Sequence, residues 1–583
     1  MRSISREVVH KQADVLVIGG GISGTLAAIK AREAGCENVI QVDKGHVGKS
    51  GCSAFAAGVL QQVPFPGDDF KERLLSETAY LQYIVRQDRV IRHFEEIGDL
   101  IDQIEGYGVQ IIRDKKAKRV KQKGRGRYPM LTFPGPQLMN ALAKTARKKG
   151  VQQVNKVMIT DLIRSGDYII GAVGFETTHG VFHVFKAKTT IMATGLTYYK
   201  SICPGHRNCT GDGYAAAYRA GVALSGGESN DNLGHAFPSK YDVGPGMSLF
   251  VGEGGKFINN RGERFMERYY PTRKERAPLN YLTLAFAMEA KRGNTPIYMD
   301  IRHFSPRQVD RLRRAIPLVI RGFESVGIVR KGRIAEKIEW GLTAYLGRTG
   351  IRVNDQLQSS LAGLYACGEA AAMEAYTAGL APAASSGGQA GTYAAKQARG
   401  MYMPKIPPRL VKELRERTYQ PLTRSDGVEP DQVLLSLQEA IMPYDVLKIR
   451  HEKRMRKALA KIETLREDQL AILHAYDPHY LRMAHEVRSL TLIAEITLRS
   501  AILRKESRLG IREDYPYIDN QKWLKWTEVE NDPNGKMATR TEQVPIASYP
   551  LQPRQMGRHL HRRWQIAEDM GIISVHKGKI HWR

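Results

Sequence analysis

The sequence predicts an α/β fold in which a Rossmann-like nucleotide-binding domain carries an inserted α+β capping domain and is followed by a C-terminal helical domain. Three observations support this prediction: a strand–glycine–helix unit near the N-terminus, a mixed helix and strand pattern in the middle of the chain, and a charged, amphipathic helical pattern near its end. A chain of 583 residues is too long for one hydrophobic core, so roughly two to four domains are expected.

The N-terminal unit is the strongest evidence for nucleotide binding. The apolar run 15–18 predicts a buried strand, and Gly19, Gly21 and Gly24 follow it in the spacing Gly-x-Gly-x-x-Gly before an apolar-periodic helix. Glycines at these positions allow a tight turn, close approach of the backbone to a pyrophosphate, and packing of the helix on the strand. A second strand ends in Asp43, whose carboxylate suits a ribose hydroxyl pair.

Changes of pattern along the chain set the expected domain boundaries. The nucleotide-binding domain is discontinuous, and a turn at Gly166-Asp167 predicts a hairpin inserted in its first part. A glycine- and alanine-rich helix beginning near Ser385 returns the chain to this domain. The expected units are 1–235 with 346–403 for nucleotide binding, 236–345 for the capping domain, 409–525 for the helical domain, and 526–583 for an irregular basic C-terminal tail.

The net charge of +28 is unusual for a globular protein. It fits a nucleic acid, an anionic membrane, an acidic protein partner or an anionic substrate. The densest basic cluster, residues 113–127, contains no interleaved aromatic residues that could stack on bases, which argues against nucleic acid. A solvated loop and a docking surface for an acidic protein are the alternatives left open for this cluster.

Cysteine usage and hydropathy bear on the compartment. The cysteines are few and widely spaced, which suits a reducing cytoplasm better than a disulfide framework, and they are Cys36, Cys52, Cys203, Cys209 and Cys367. Because no CxxC motif occurs, we expect no iron–sulfur cluster, zinc or other metal in this chain. No apolar run approaches the ~20 residues of a membrane span, and the N-terminus shows no secretory signal, so we expect a cytoplasmic protein without a transmembrane segment.

Several short motifs follow the opening glycines in order: Asp43-Lys44-Gly45, Ser50–Gly58, Ala193-Thr194-Gly195, Thr210–Gly213, Gly252–Gly255, Asn260–Met266, Gly363–Glu369, and Arg504–Arg508 before Arg512–Pro516. In these motifs, from Asp14 to about Trp526, the chain resembles the flavoprotein subunits of the fumarate reductase and succinate dehydrogenase superfamily. L-aspartate oxidase and the α subunit of adenylylsulfate reductase belong to the same superfamily. The resemblance implies an FAD-dependent oxidoreductase whose nucleotide-binding domain holds FAD.

The resemblance also implies which residues contact FAD. Gly19, Gly21 and Gly24 would hold the pyrophosphate and Asp43 the adenosine ribose, while the helix at Ser385 would direct N–H groups at the flavin. A serine at a helix start can also serve only as a cap. The remaining expected FAD-binding residues are Lys44, Ser50, Gly51, Ser53, Thr194, Gly195, Asp212, Glu369 and Ser386.

Departures from the family pattern are informative. Many members attach FAD covalently through a histidine where this chain has Gly51, so we expect non-covalent FAD. Fumarate-type members bind a dicarboxylate with a histidine and an arginine-containing run, where this chain has Tyr345 and the segment 381–385, and their proton-donating arginine falls near 278–280. Because carboxylates are best bound by guanidinium groups, we infer that the substrate is neither fumarate nor succinate.

Four residues remain as catalytic candidates. His235 could transfer protons near neutral pH, although a histidine paired with backbone fits equally well. Arg348 could bind an anion beside the flavin or form a surface ion pair. Tyr345 could donate a hydrogen bond or simply pack, and Arg268 lies in the same expected pocket.

The leading hypothesis is a cytoplasmic FAD oxidoreductase that passes electrons between a small non-dicarboxylate substrate and a small ferredoxin-like iron–sulfur subunit in a heterodimer. Such partners are commonly acidic, and a basic flavoprotein would attract them. The alternatives are a non-catalytic scaffold that keeps FAD for stability, a flavin oxidase that reacts with oxygen, and an adenylylsulfate reductase α-like subunit.

Overall fold

A computed structural model describes residues 7–56, 58–61, 63–65, 67–126, 128–133, 137–201, 205–236, 246–347, 349–372 and 379–582. Within these ranges it describes the backbone but not the side chains of 230–236 and 343–347. The predicted fold class is confirmed: a mixed α/β nucleotide-binding region, a capping region with its own sheet, and a helical region follow one another along the chain.

The first region is built on a mostly parallel sheet with the strand order β3-β2-β1-β6-β5-β4. The sheet is fully buried at the C-terminal end of β1, where Val15, Leu16 and Val17 have no exposed surface, as expected for a parallel sheet covered on both faces. The elements of this region are β1 (Val8–Ile18), α1 (Ile22–Glu33), β2 (Val39–Val42), α2 (Phe70–Tyr80), α3 (Gln87–Gly106), α4 (Gln137–Lys148), β3 (Gln152–Val154), β4 (Val157–Ser165), β5 (Tyr168–Glu176), β6 (Phe182–Met192) and α5 (Asp212–Arg219).

The hairpin expected at Gly166-Asp167 is formed by β4 and β5. Gly166 has a φ of +58°, a conformation that glycine adopts without steric cost. Strand β5 pairs antiparallel with β6, so the hairpin extends the main sheet at one edge.

The middle region has its own antiparallel sheet, with the order β7-β10-β9-β8. Its core contains Phe250, Phe257 and Trp340, whose rings pack edge to face. The elements are β7 (Asn230–Ala236), α6 (Met247–Gly252), β8 (Lys256–Ile258), α7 (Met266–Tyr269), α8 (Leu279–Lys291), β9 (Ile297–Asp300), α9 (Pro306–Ala315), α10 (Pro317–Ser325) and β10 (Ile338–Gly347).

The chain then returns to the first sheet through β11 (Leu364–Ala366), which pairs parallel with β6, and α11 (Leu380–Arg399). Helices α1 and α11 pack closely because α11 carries glycines at the contact. A Cβ on Gly387 would lie 2.3 Å from the Ser23 carbonyl oxygen, and one on Gly391 would lie 2.2 Å from the Ala27 carbonyl oxygen. These glycines are therefore required by helix packing.

Helices dominate the next region: α12 (Pro408–Tyr419), α13 (Pro430–Ile441), α14 (Tyr444–Leu447), α15 (Glu452–Thr464) and α16 (Pro478–Leu503). Helix α16 is the longest of these and is mostly buried, with Glu486 and Glu495 both fully buried. Burial of two carboxylates on one helix requires cationic partners, and one of these carboxylates reaches the site described below.

The C-terminal tail is not irregular, contrary to the sequence prediction. β12 (Tyr517–Asp519) and α17 (Asn520–Trp523) precede the tail, which itself forms β13 (Lys525–Asn531), β14 (Met537–Gln543), β15 (Arg558–Leu560), α18 (Arg562–Asp569), β16 (Ile573–His576) and β17 (Lys579–Trp582). Strand β13 pairs with Leu224–Ser225 of the first region, and Trp564 is buried in the capping-region core. The charged residues suggested a solvated tail, but Glu528 on β13 is fully buried and paired with Arg540 at 2.7 Å.

No helix in the described ranges has both the length and the apolar composition needed to cross a bilayer.

Candidate cofactor and active site

A cavity with about 980 Å³ of empty space, part of it open to solvent, lies where β1, β2 and β6 end. Ligands of open α/β sheets bind at this carboxyl edge. The last residues of these strands, Ile18, Val42 and Met192, lie in the cavity wall. The wall also contains most of the predicted FAD-binding residues, namely Gly19, Gly21, Asp43, Lys44, Ser50, Gly51, Ser53, Thr194, Gly195, Asp212 and Glu369.

The glycine end of the cavity is formed by the turn between β1 and α1. Gly19 has a φ of +126°, and a Cβ there would lie 2.2 Å from the Ala193 carbonyl oxygen. Gly24 does not line the cavity but lies behind it, where a Cβ would be 2.2 Å from the Gly19 carbonyl oxygen. The first and third glycines are therefore needed for backbone packing, and Gly21 presents the start of α1 to the cavity.

The N-terminus of α1 is available to an anion. Gly21 is the N-cap and supplies no side-chain cap, while the backbone N–H of Ile22 donates to the Ser53 hydroxyl at 3.2 Å. Free N–H groups and the positive end of a helix dipole attract phosphate oxygens. This geometry fits a pyrophosphate.

Asp43 is held rigidly at the end of β2. Its Oδ2 accepts a hydrogen bond from the backbone N–H of Gly20, and its Oδ1 accepts one from the backbone N–H of Gly45, both at 2.7 Å. Burial raises the pKa of Asp43 above its ordinary value despite these bonds. The carboxylate is thus fixed in the cavity wall with lone pairs that a ribose could use.

A second group of charges is centred on Lys44 and Asp212, which line the cavity. The Lys44 ammonium donates to the Thr210 hydroxyl at 2.7 Å, to Asp212 Oδ2 at 2.7 Å and to Glu486 Oε1 at 2.8 Å. Lys200 contacts the other oxygen of Glu486 at 2.5 Å. We refer to Lys44, Lys200, Thr210, Asp212 and Glu486 as the charged cluster.

Two carboxylates keep Lys44 protonated. Burial by itself would lower the pKa of Lys44, but the charges of Asp212 and Glu486 raise that pKa above its ordinary value. Asp212 Oδ1 is buried and has no hydrogen-bond partner among the described residues. A buried carboxylate oxygen without a partner is costly, so it indicates a ligand hydroxyl at this position.

Two of the predicted FAD-binding residues, Ser385 and Ser386, lie outside the cavity wall. Helix α11 begins at Leu380, five residues before the expected start at Ser385, because Gly379 with a φ of +128° is its N-cap and Pro382 fits its first turn. The Ser386 hydroxyl accepts from the Gly368 N–H at 2.9 Å and donates to the Pro382 carbonyl at 2.8 Å. The Ser385 hydroxyl is buried without a partner in the described part of the chain, and Ala383 lines the wall in place of both.

The catalytic candidates fall largely where side chains are not described. Strands β7 and β10 pair antiparallel, with Asn232 opposite Tyr345 and His235 opposite Gly341. Only the backbone of the two candidates His235 and Tyr345 is described, and Arg348 lies outside the described residues. Arg268 pairs with Glu263 at 3.0 Å and with the buried Glu289 at 3.4 Å. The structure therefore places Arg268 in an ion-pair network of the capping region and not in the cavity wall, and the catalytic role of all four residues stays a prediction.

The wall fits FAD on the evidence of its own residues. Gly21 and the α1 N-terminus suit a pyrophosphate, Asp43 suits one ribose, and the unpartnered oxygen of Asp212 suits a further hydroxyl. Gly51 has a φ of +77°, and a Cβ built there would meet no atom within 4 Å, so the loop after β2 leaves space beside the cavity.

Comparison with known proteins supports this assignment. The family model described as the FAD binding domain matches residues 14–389, and the model described as the fumarate reductase flavoprotein C-term matches residues 436–556. The chain belongs to the fumarate reductase and succinate dehydrogenase flavoprotein family. This flavoprotein is an FAD-dependent oxidoreductase, and the predicted superfamily and FAD cofactor are confirmed.

Relatives cover nearly the whole flavoprotein. One subunit of the fumarate reductase (CoM/CoB) of Methanothermobacter marburgensis is 27% identical over 530 residues, which cover 87% of this chain and 95% of that one. The solved structure of E. coli quinol fumarate reductase FrdA superposes with a TM-score of 0.81 at 22% identity, covering 94% and 99% of the two chains. Adenylylsulfate reductase from Archaeoglobus fulgidus gives 0.75 at 21%, covering 94% and 98%, so these two structures show the shared fold.

The sequence analysis missed three residues that line the cavity of the flavoprotein or pair with its wall. Glu486 pairs with Lys44 of the wall from 442 residues away, and no local pattern links the two. Cys52 and Cys209 line the cavity. Cys52 lies within the Ser50–Gly58 motif, and Cys209 directly precedes the Thr210–Gly213 motif. Because both motifs are expected beside FAD, these positions could have identified the two cysteines as wall residues.

Proposed function

We propose that this flavoprotein exchanges electrons between a small substrate other than fumarate or succinate and an acidic, ferredoxin-like iron–sulfur subunit within a cytoplasmic heterodimer. The coarser statement, that it is an FAD-dependent oxidoreductase, follows from the family. The finer proposal, a substrate other than fumarate or succinate, rests on the residues at two helix starts. Fumarate-type members of the family have arginines at these two positions.

Neither helix start offers a guanidinium group. The first turn of α11 contains Ala381, Pro382 and Ala384, all buried, where the family pattern has an arginine-containing run. Helix α8 begins at Leu279 and has the buried Asn280 near the position of the proton-donating arginine. Carboxylates are bound most strongly by bidentate guanidinium groups, so these two substitutions favour a different substrate class.

The charge of the chain supports an acidic partner. Net charge of this size accelerates association with an oppositely charged protein through long-range attraction. The names of relatives such as the 8-methylmenaquinol:fumarate reductase flavoprotein subunit describe subunits of larger enzymes. An electron-accepting or electron-donating subunit is therefore the partner we propose.

The residues of this chain would bind and orient the cofactor. FAD supplies a group that accepts or donates two electrons and can also pass them singly. Gly21 and the start of α1 would bind its pyrophosphate, and Asp43 would bind a ribose. Lys44 would hold Asp212 in place for a hydroxyl, and His235 would transfer protons. Because Gly51 carries no nucleophile, we propose that FAD is held non-covalently.

The first experiment is the visible spectrum of the protein purified gently from its native host with any associated chain retained. We expect two flavin bands, a broad iron–sulfur absorbance that a low-potential reductant bleaches, and release of the flavin on acid precipitation. A pure flavin spectrum without a second chain, reoxidised quickly by air, would overturn the partner and favour an oxidase.

A substrate assay then tests the finer proposal. With a reduced viologen dye as electron donor, fumarate should give no turnover, whereas E. coli fumarate reductase measured in parallel provides the positive control. Succinate, sulfite and nucleotides are assayed in the oxidative direction. Turnover of fumarate or succinate at the rate of the control enzyme would refute the proposal while leaving the flavoprotein assignment intact.

A further inference from the structure

Two cysteines lie side by side in the wall of the FAD cavity. The Sγ atoms of Cys52 and Cys209 are 3.5 Å apart, although the residues are 157 positions apart in sequence. Both residues line the cavity, and both are free thiols in this structure. The function proposed above uses neither of them.

The backbone around Cys209 is hydrogen-bonded, whereas the backbone before Cys52 has open space around it. Cys209 is fixed, because its N–H donates to the His206 carbonyl and its carbonyl accepts from the Tyr198 N–H, both at 3.0 Å. Cys52 lies on the loop after β2, next to Gly51, whose surroundings are open.

A disulfide requires the sulfurs to approach to about 2.0 Å, which is a movement of about 1.5 Å from the observed distance. Cys209 is held in place by its backbone hydrogen bonds, and the loop that carries Cys52 has the space for this movement.

We propose that Cys52 and Cys209 form a redox-active thiol pair that exchanges two electrons with the FAD in the same cavity. In the oxidative direction the two S–H bonds break and one S–S bond forms. Two protons and two electrons leave the thiols, and oxidised FAD takes them up to become reduced FAD. The reverse reaction regenerates both thiols and oxidised FAD, so the balance closes without a further reactant.

The surroundings limit exchange of the pair with thiols and disulfides in solution. The hydrogen bond to Cys209, burial, and the nearby charge of Glu369 all raise the pKa of Cys52. Thiolates are the species that attack external disulfides, so a raised pKa protects the pair from them. Cys209 is itself only 7% exposed, which leaves the cavity as the open side. The pair would therefore store a second electron pair next to the flavin.

Electron counting tests this proposal on the holoprotein with any partner retained. The protein is oxidised with ferricyanide, freed of oxidant and titrated anaerobically with dithionite. The wild type should consume two more electrons per FAD than Cys52→Ser or Cys209→Ser. Because a partner's clusters contribute equally to all samples, the difference reports the thiol pair alone. Cys36→Ser is the control, because Cys36 does not line the cavity, and it should match the wild type.

Peptide mapping gives a readout that does not depend on flavin. Wild-type protein, with or without FAD, is oxidised, denatured, alkylated and digested, and a peptide linking Cys52 to Cys209 is expected. Equal electron uptake by all variants, together with alkylation of both thiols after oxidation, would overturn the proposal. Since the mapping uses the unmodified chain, a variant that fails to fold does not affect it, and a chain without FAD would refute the proposed function separately.

Discussion

The two ends of the FAD cavity are built in different ways. The glycine end consists of backbone from one continuous stretch, in which Gly19 and Gly24 leave no space for a Cβ. The charged cluster consists of side chains from distant segments, with Lys44 between Asp212 and Glu486. The glycine end depends on the absence of side-chain volume, and the charged cluster depends on the pairing of lysines with carboxylates.

This difference determines how each end can fail. Added volume at the glycine end forces apart elements that are packed to contact, whereas removal of a positive charge from the cluster reduces the compensation of the buried Glu486 carboxylate. The first should act mainly on FAD binding, and the second on the stability of the whole chain, because Glu486 belongs to the helical region.

The largest effect is expected from Lys44→Met. Removal of the ammonium breaks the ion pairs to Asp212 and to the fully buried Glu486; because Glu486 keeps its contact with Lys200, the free energy of unfolding should fall by about 3 kcal/mol, the lower end of the range for a broken buried pair. Urea denaturation followed by circular dichroism measures this change. Lys49→Met, at an exposed position of the same loop, should change stability by less than about 0.5 kcal/mol. Equal stability of both variants would show that the cluster is not a stabilising feature.

Gly24→Ala should weaken FAD binding next. Its Cβ would lie 2.2 Å from the Gly19 carbonyl oxygen, and overpacking of this kind costs about 1–3 kcal/mol, which corresponds to roughly 5- to 150-fold weaker binding if all of it falls on the FAD-bound state. The dissociation constant of FAD, measured by flavin fluorescence, tests this. Gly388→Ala on α11 is the control, because its nearest neighbour would be Lys30 Cγ at 3.7 Å. Unchanged FAD affinity in Gly24→Ala would contradict the packing argument.

The acid dependence of stability distinguishes the two ends further. Burial would raise the pKa of Glu486, but the charges of Lys44, Lys200 and Arg482 lower it below its ordinary value of 4.5. A lowered pKa in the folded state stabilises the protein above pH 4.5, and this contribution is lost as the pH falls below that value; each unit of lowering contributes about 1.4 kcal/mol.

Unfolding free energy measured between pH 6 and pH 3 should therefore fall less steeply in Lys44→Met than in the wild type. Parallel slopes in the two proteins would mean that Lys44 does not set the ionisation of Glu486.

The smallest effect is expected from Ser53→Ala. Loss of the hydroxyl that accepts from the Ile22 N–H should weaken FAD binding by about 0.5–1.5 kcal/mol. Isothermal titration with FAD measures this, and Ser325→Ala, an exposed serine of the capping region, should bind FAD like the wild type. Complete loss of FAD would show that Ser53 contributes more than one hydrogen bond.

Short-range patterns predicted the parts of the fold that depend on local backbone. The glycine spacing, the apolar strand before it and Asp43 after the next strand lie within about thirty residues of sequence, and all of them meet in the cavity wall or directly behind it. The tail was wrongly predicted as irregular because β13 and α18 are stabilised by contacts with Leu224–Ser225 and with the capping-region core. Such contacts leave no periodic signal in a charged segment.

The sequence by itself determined the cofactor class, because binding a dinucleotide at a sheet edge imposes small residues at fixed spacing. Only the tertiary structure decided that Lys44 is shared by Asp212 and Glu486, and that Cys52 lies beside Cys209. Interactions between side chains hundreds of residues apart depend on how the domains pack. No local pattern in the sequence of α16 predicts that the Glu486 carboxylate is buried against the nucleotide-binding domain.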